Sequence, residues 1–229
     1  MTTKKKASAR SAKRKVLVVD DHPVLREGLA QRINSERDLA VCGEAESARD
    51  ALRAVANLQP DIVVLDLSLP NGHGLELIKD LKTLQPEVRV LVFTMHDESI
   101  FAERAIRAGA RGYLMKQESP ERLLEAIRTV LRGDYSVSEK ASSAFLKSFF
   151  AQTQQSPEGG ASAVARLTDR ELEVFELIGQ GISTRQIARR LGRSVKTIET
   201  HRARIKEKLA VKSAAELSYR ASLWAETRR

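Results

Sequence analysis

The feature that most constrains this chain is a regular alternation of short apolar runs and amphipathic segments between residues 15 and 132. The apolar runs start at Val16, Ala40, Ile62, Val88 and Gly112. Segments of helical period follow them at 23–34, 47–57, 74–84, 98–108 and 120–131. Because most of the runs do not alternate with polar residues, they are typical of strands buried on both faces. Five such βα units predict an α/β domain, a doubly wound five-stranded parallel sheet with helices on both sides.

The sequence after Arg166 is all-helical in pattern and predicts a second, smaller domain at 166–229. Four short helices are expected, the third running to about Leu209 and the fourth beginning at Ser213. The capping residues of the first three are Thr168 with Glu171, Ser183 with Gln186, and Ser194. The second and third helices are separated by the short turn at 192–194, which fits a helix-turn-helix motif.

Two regions fall outside these domains. Residues 133–165 begin with a short amphipathic helix, about Ser138–Phe150, and continue as a polar run with Gly, Pro and Ser, so we interpret them as a linker. Residues 1–14 form a basic tail, and residues 1–15 hold seven Lys or Arg and no acid. We interpret the tail as disordered and solubilising, with a nucleic-acid-binding arm as the alternative.

The bulk composition limits the classes of protein to consider. The chain has 229 residues, one cysteine (Cys42) and no apolar run near the ~20 residues of a membrane span. A disulfide framework is excluded, and we expect a soluble cytoplasmic protein that does not bind membranes. The net charge of +9 is uneven, since residues 166–229 hold fifteen Lys or Arg against eight Asp or Glu. The C-terminal domain is therefore the part expected to meet a polyanion.

Polar residues follow the predicted strands at their carboxyl ends, where parallel sheets bind ligands. Asp20 and Asp21 follow the first strand, and Asp66, Thr94 and Lys116 follow the third, fourth and fifth. Three carboxylates at one edge repel each other unless a cation lies among them, and hard oxygen ligands suit Mg²⁺. This pattern predicts a carboxylate that attacks a phosphoryl group, assisted by Mg²⁺, the lysine and the hydroxyl.

The third C-terminal helix has one apolar side, formed by Ile198, Ile205 and Leu209, which we expect to face the core. The opposite side is small and polar with basic edges, which suits the major groove of DNA. The basic residues at the edges of this side, and the residues near the boundary between the helix and the core, are expected to contact DNA phosphates. The candidate DNA-contacting residues are Lys196, Thr197, Glu199, Thr200, His201, Arg202, Ala203, Arg204 and Lys206.

These motifs resemble those of a known family of bacterial regulators. The acidic pair, Asp66 within Val-Val-Leu-Asp-Leu-Ser-Leu-Pro, Thr94, and Tyr113 three residues before Lys116 resemble a flavodoxin-like response-regulator receiver domain. The pattern from Leu167 to Arg202 resembles a LuxR-type helix-turn-helix. Their order is that of the NarL/FixJ class of two-component response regulators.

The resemblance implies a role for each matched residue. Asp66 is implied to accept a phosphoryl group from a sensor histidine kinase. Mg²⁺ is implied to be held by Asp21, Asp66 and the main-chain carbonyl of Ser68, with Asp20 acting largely through water. Thr94 and Tyr113 are implied to be the switch pair. Phosphorylation is implied to release the recognition helix from the receiver, to promote homodimerisation, or both, before promoter DNA is bound.

Two departures and two alternatives accompany this interpretation. Met95 is bulky where many receivers have a small residue, and Gln117 replaces a frequent proline, so a cis peptide is not expected there. One alternative is a receiver that only dimerises, without phosphate. The other is an aspartyl-phosphate phosphatase, which is disfavoured because Ser68 stands where a second carboxylate would act as acid. We therefore expect a transcription regulator and not an enzyme.

The remaining histidines and aromatic residues receive structural interpretations. His22, His73 and His96 are too scattered for metal-ligand spacing, and we assign them no catalytic role. Tyr219 and Trp224 in the last helix are expected to pack, and the family implies that this helix can form a dimer contact on DNA.

Overall fold

The computed structural model describes residues 12–70, 74–143, 145 and 163–226. Residues 1–11 of the predicted tail and the polar linker run 151–162 lie outside this part, as does His73. Of the short helix predicted at 138–150, residues 139–143 and 145 are helical.

The predicted five-stranded parallel sheet is confirmed. Its strands are β1 (Arg14–Val19), β2 (Leu39–Ala45), β3 (Ile62–Leu65), β4 (Arg89–Thr94) and β5 (Gly112–Met115). They are hydrogen-bonded in the order β2-β1-β3-β4-β5, and every pair is parallel. Arg14, the last residue of the predicted tail, is the first residue of β1, and its guanidinium donates to Asp61 at 2.9 Å. The receiver-like domain therefore begins slightly earlier than predicted.

Five helices connect and flank the strands. They are α1 (Pro23–Asn34), α2 (Ala48–Leu58), α3 (Gly74–Leu84), α4 (Glu98–Ala108) and α5 (Pro120–Arg132). The predicted start of α5 is confirmed, since the Ser119 hydroxyl accepts the backbone N–H of Arg122 and Pro120 occupies the first turn. Ser47 and Asp97 cap α2 and α4 in the same way.

Alternate residues of each strand point to opposite faces of the sheet, and both faces are covered. Val16, Val18 and Ile62 pack in one apolar cluster with α1 and α5. Leu17 and Val63 pack in the other cluster, with α2, α3 and α4. This two-sided burial explains why the strands are continuously apolar in sequence. It also leaves the carboxyl ends of the strands as the accessible edge.

The second domain is all-α, as predicted. A short 3₁₀ helix (Ala163–Arg166) precedes α6 (Asp169–Gly179), α7 (Thr184–Arg190), α8 (Val195–Lys208) and α9 (Ala214–Glu226). Both predicted capping boxes are present at the starts of α6 and α7, and Ser194 caps α8. Trp224 packs edge-on against Phe175 with ring centroids 5.5 Å apart, as expected. Tyr219 does not pack, since it is 65% exposed on the outer side of α9.

Among the described residues, no helix has the length and apolarity needed to cross a bilayer.

Candidate phosphoacceptor site and DNA-binding face

An acidic cluster lies at the carboxyl edge of the sheet, where β1 and β3 end. Asp20 and Asp66 each have side chains that are only 2% exposed. The Lys116 ammonium, after β5, lies 2.7 Å from an oxygen of each of them. Burial opposes the charge of Lys116, but the two carboxylates outweigh it and raise the pKa of the amine. The lysine is therefore held as a cation beside Asp66.

The donor set of this cluster fits a divalent cation. One ligand atom each from Asp20, Asp21, His22 and Asp66 lies within 4.8 Å of the others. The buried Oδ1 of Asp21 accepts no hydrogen bond of good geometry, although His22 Nδ1 lies 2.7 Å from it. A single lysine cannot neutralise three carboxylates, so the cluster keeps a net negative charge that suits Mg²⁺.

The predicted switch residues also meet at this edge. Thr94 is fully buried at the end of β4, and its Oγ1 accepts the backbone N–H of His96 at 3.4 Å. The buried Tyr113 hydroxyl donates to the carbonyl of His96 at 2.9 Å, and burial raises the pKa of that phenol well above its usual value. Met95 is 58% exposed. No described peptide bond is cis, as expected for Lys116–Gln117.

His96 is the residue of this edge that sequence reasoning missed. Its Nε2 lies 3.0 Å from the Ser68 hydroxyl, and its Nδ1 lies 2.9 Å from a carboxylate oxygen of Glu176 in α6. Burial disfavours the imidazolium, but the hydrogen bond and charge of Glu176 outweigh it and raise the pKa of His96. Since Ser68 itself donates its backbone N–H to Asp66 at 3.1 Å, His96 connects the loop after β3 to the second domain.

The second domain is held against the receiver by further polar contacts from the start of α6. Arg104 in α4 donates to Asp169 and to the carbonyl of Leu167, both at 2.8 Å. Arg170 pairs with Glu76 in α3. Apolar packing is continuous between the domains, since buried residues of both belong to one cluster. None of these contacts has a local sequence signal, because the partners are more than sixty residues apart.

Besides His96, two further ionisable groups at this interface have shifted pKa values. Burial raises the pKa of Glu173 to about 7, against the opposing attraction of Arg170 and His96. Burial also lowers the pKa of Arg170 to about 10. The interface therefore contains a carboxyl that titrates near neutrality.

The apolar side predicted for the third C-terminal helix is the buried side of α8. Ile198, Ile205 and Leu209 are buried, and they fix this helix against the rest of the domain. Most of the opposite side is exposed, namely Lys196, Glu199, Thr200, Ala203 and Arg204. The partly exposed candidates are Thr197, His201, Arg202 and Lys206. The resemblance implies that phosphorylation releases this helix from the receiver, promotes dimerisation, or both. In the part of the chain that the structure describes, the second domain makes its ion pairs and hydrogen bonds to the receiver through α6 and Leu167. The outer side of α8 is exposed.

Comparison with known proteins assigns both domains to families. Residues 16–128 match the response regulator receiver domain, and residues 165–221 match the bacterial regulatory proteins of the luxR family. The chain is 35% identical to the oxygen regulatory protein NreC of Staphylococcus carnosus, over 89% of this chain and 94% of that protein.

Solved structures agree with this assignment. A LuxR-family two-component response regulator from Aurantimonas sp. SI85-9A1 is 36% identical, with a TM-score of 0.56 over 61% of this chain and 99% of that one. RcsB from Salmonella enterica serovar Typhimurium, bound to promoter rprA with phosphomimetic BeF₃⁻, is 26% identical, with a TM-score of 0.64 over 92% of this chain and 99% of that one. The chain belongs to the response regulators that join a receiver to a LuxR-type DNA-binding domain, a family of phosphorylation-regulated transcription factors.

Proposed function

We propose that Asp66 accepts a phosphoryl group from the phosphohistidine of a sensor histidine kinase, and that this controls homodimerisation and promoter binding by α8. The observation that carries the proposal is the position of the Asp66 carboxylate. It is buried at the edge of the sheet, 2.7 Å from the Lys116 ammonium and beside Asp20 and Asp21. A buried carboxylate with a fixed cation and an adjacent divalent-ion site is suited to nucleophilic attack on a phosphoryl group.

Asp20, Asp21, Asp66 and the main-chain carbonyl of Ser68 are the proposed magnesium ligands, with Asp20 acting largely through water. When bound, Mg²⁺ supplies positive charge beside the transferring phosphoryl oxygens. An oxygen of Asp66 forms the new P–O bond while the P–N bond of phosphohistidine breaks, and the leaving imidazole takes a proton from solvent. Lys116 pairs with one phosphoryl oxygen, and Thr94 donates its hydroxyl to another. Because Tyr113 is hydrogen-bonded to the residue that Thr94 contacts, a shift of Thr94 reaches Tyr113.

The proposed DNA-binding surface is the exposed side of α8. Lys196, Glu199, Thr200 and Ala203 form the strip that enters the major groove. The flanking basic side chains contact the DNA phosphates, together with Thr197 and His201. These basic residues are Arg202, Arg204 and Lys206. The exposed Tyr219 and Leu223 of α9 offer apolar area for the proposed dimer contact. The RcsB structure bound to promoter DNA supports this use of the domain.

We further propose a cytoplasmic regulator and not an enzyme with turnover. DNA as partner and a single, unbridged cysteine favour the cytoplasm. The phosphatase alternative needs a general acid near Asp66. Ser68 occupies the expected position and hydrogen-bonds His96 instead of presenting a second carboxylate.

The test is intact mass after incubation with Mg²⁺ and acetyl phosphate, quenched rapidly. We expect one added phosphoryl group on the wild-type protein, none on Asp66→Ala, and none without Mg²⁺. Release of phosphate in many-fold excess over protein would instead support the phosphatase. A folded wild-type protein that gains no phosphoryl group would favour the receiver that acts without phosphate.

A further inference from the structure

The second domain lies across the opening of the acidic site. His96, which contacts Ser68, is bonded to Glu176 in the middle of α6. Between the domains is a cavity of about 90 Å³, lined on the receiver side by Asp21, Ser68 and Pro70. Glu176, Gln180 and Arg190 line its other side. A space of this size holds a few water molecules. It has no room for a phosphohistidine side chain carried on another protein.

The wall that faces the site is also electrostatically unsuited to a phosphorylated Asp66. Two carboxyl groups, Glu173 and Glu176, line the cavity together with Arg190 and His96. The carboxyl of Glu173, with a pKa of about 7, is only partly ionised at neutral pH. A phosphoryl group adds nearly two negative charges, and like charges across a partly dry interface repel each other. Phosphorylation and the packed arrangement of the domains therefore disfavour each other, and this coupling is reciprocal.

The recognition helix is not what the receiver covers. Lys196, Glu199 and Thr200 are exposed. The ion pairs to the receiver come instead from α6, at Asp169, Arg170 and Glu176. The structure therefore separates two sites that an interdomain contact could block. The phosphoacceptor site is covered, and the DNA-reading face is open.

We propose that the C-terminal domain shields Asp66, so that the α6 contacts with Arg104 and His96 set the rate at which phosphodonors reach the site. This rests on the proposed function and adds the surface through which that function is regulated. It makes the DNA-binding domain an inhibitor of phosphorylation, with the recognition face available in both arrangements.

The experiment changes only residues of the C-terminal domain in the full chain, so the reacting groups stay intact. Asp169→Asn and Glu176→Ala each remove one anchor of α6, and the double variant removes both. Glu226→Ala, on the exposed end of α9, is the matched control. The initial rate of phosphorylation by acetyl phosphate with Mg²⁺ is followed by intact mass, and folding is checked by thermal melting.

We expect the double variant to be phosphorylated roughly fivefold faster than wild type, as typical interdomain couplings predict. The single variants should lie between, and Glu226→Ala should match wild type. If all the folded proteins become fully phosphorylated and do so at equal initial rates, the shielding proposal is wrong. The proposed function would still stand. Absence of phosphorylation in every protein after long incubation would overturn the proposed function itself. If the double variant unfolds, the initial phosphorylation rate of the isosteric Asp169→Asn is compared with that of wild type. A faster rate supports shielding, and an equal rate contradicts it.

Discussion

Lys116 and Asp66 form an ion pair of 2.7 Å in which the lysine side chain is 7% exposed and the aspartate side chain 2%. A second buried carboxylate, Asp20, lies at the same distance from the same ammonium. Removing one partner from such a group leaves buried charge without compensation, which typically costs about 3–5 kcal/mol. This pair is therefore both part of the proposed site and a determinant of stability.

We predict that Lys116→Met lowers the melting temperature in the absence of Mg²⁺ and that Mg²⁺ restores much of the loss. The remaining carboxylates then bind the cation without competition from the ammonium, so the Mg²⁺-dependent rise in melting temperature should exceed that of wild type. Thermal unfolding with and without Mg²⁺ measures both effects. Lys140→Met, at an exposed position, is the control. An equal Mg²⁺ effect in wild type and Lys116→Met would contradict a metal site beside this lysine.

A pair of glycines provides a test of packing in the two domains. A Cβ on Gly179 in α6 would lie 2.4 Å from the carbonyl oxygen of Ala221 in α9, whereas a Cβ on Gly28 in α1 would have nothing within 4 Å. We predict that Gly179→Ala destabilises the protein by about 1–3 kcal/mol because the two helices must separate. Gly28→Ala should stabilise it by about 0.5–1 kcal/mol through helix propensity. Denaturant unfolding that gives the same sign for both would contradict this close helix contact.

Glu173 gives the stability of the intact chain a pH dependence near neutrality. Its carboxyl has a pKa of about 7 in the folded protein and an ordinary value of 4.5, so the buried group resists losing its proton. This raised pKa means that stability falls as the pH rises from about 4.5 through 7, by up to about 3 kcal/mol. The charged groups that face it are Arg170 and Glu176 on α6, His96 after β4, and Glu76 on α3.

We predict that Glu173→Gln melts close to wild type at pH 5 and at a higher temperature than wild type at pH 8. The variant keeps the shape of the side chain but cannot ionise, so only the wild-type protein loses stability. Melting curves across this range give the comparison, and Glu226→Gln serves as the exposed control. Parallel pH profiles for wild type and Glu173→Gln would show that Glu173 is not buried in solution.

The two groups of residues on α8 should affect DNA binding differently. Arg204→Ala removes a proposed phosphate contact, so it should weaken binding to all sequences. The slope of the logarithm of the binding constant against the logarithm of the salt concentration should fall in magnitude by about one. Glu199→Ala, in the strip proposed to face bases, should instead change which sequences are preferred. Selection from a random DNA pool, followed by titration at several salt concentrations, distinguishes these effects. A uniform loss for both variants would contradict the proposed orientation of α8.

Most of the fold could be predicted from the sequence because its signals are local. The strands are buried on both faces and are therefore continuously apolar, and the helix starts have capping residues such as Ser119 and Thr168 that act within one turn. The meeting of Asp20, Asp66 and Lys116 follows from parallel topology, which brings the strand ends to one edge. The contact of His96 with Glu176 has no such signal. It joins side chains 80 residues apart across a domain interface, and the local sequence around neither residue indicates which residue it contacts. For the same reason, the exposed outer side of α8 in the presence of the receiver could not be predicted from the sequence.

The most direct test of the central claim is the affinity of the full-length protein for a DNA site obtained by selection, measured with and without acetyl phosphate and Mg²⁺. The account predicts that phosphorylation tightens binding of wild type and promotes a dimer on the DNA, while Asp66→Ala keeps its basal affinity under both conditions. An affinity that is the same for phosphorylated wild type, unphosphorylated wild type and Asp66→Ala would contradict control of this domain through Asp66.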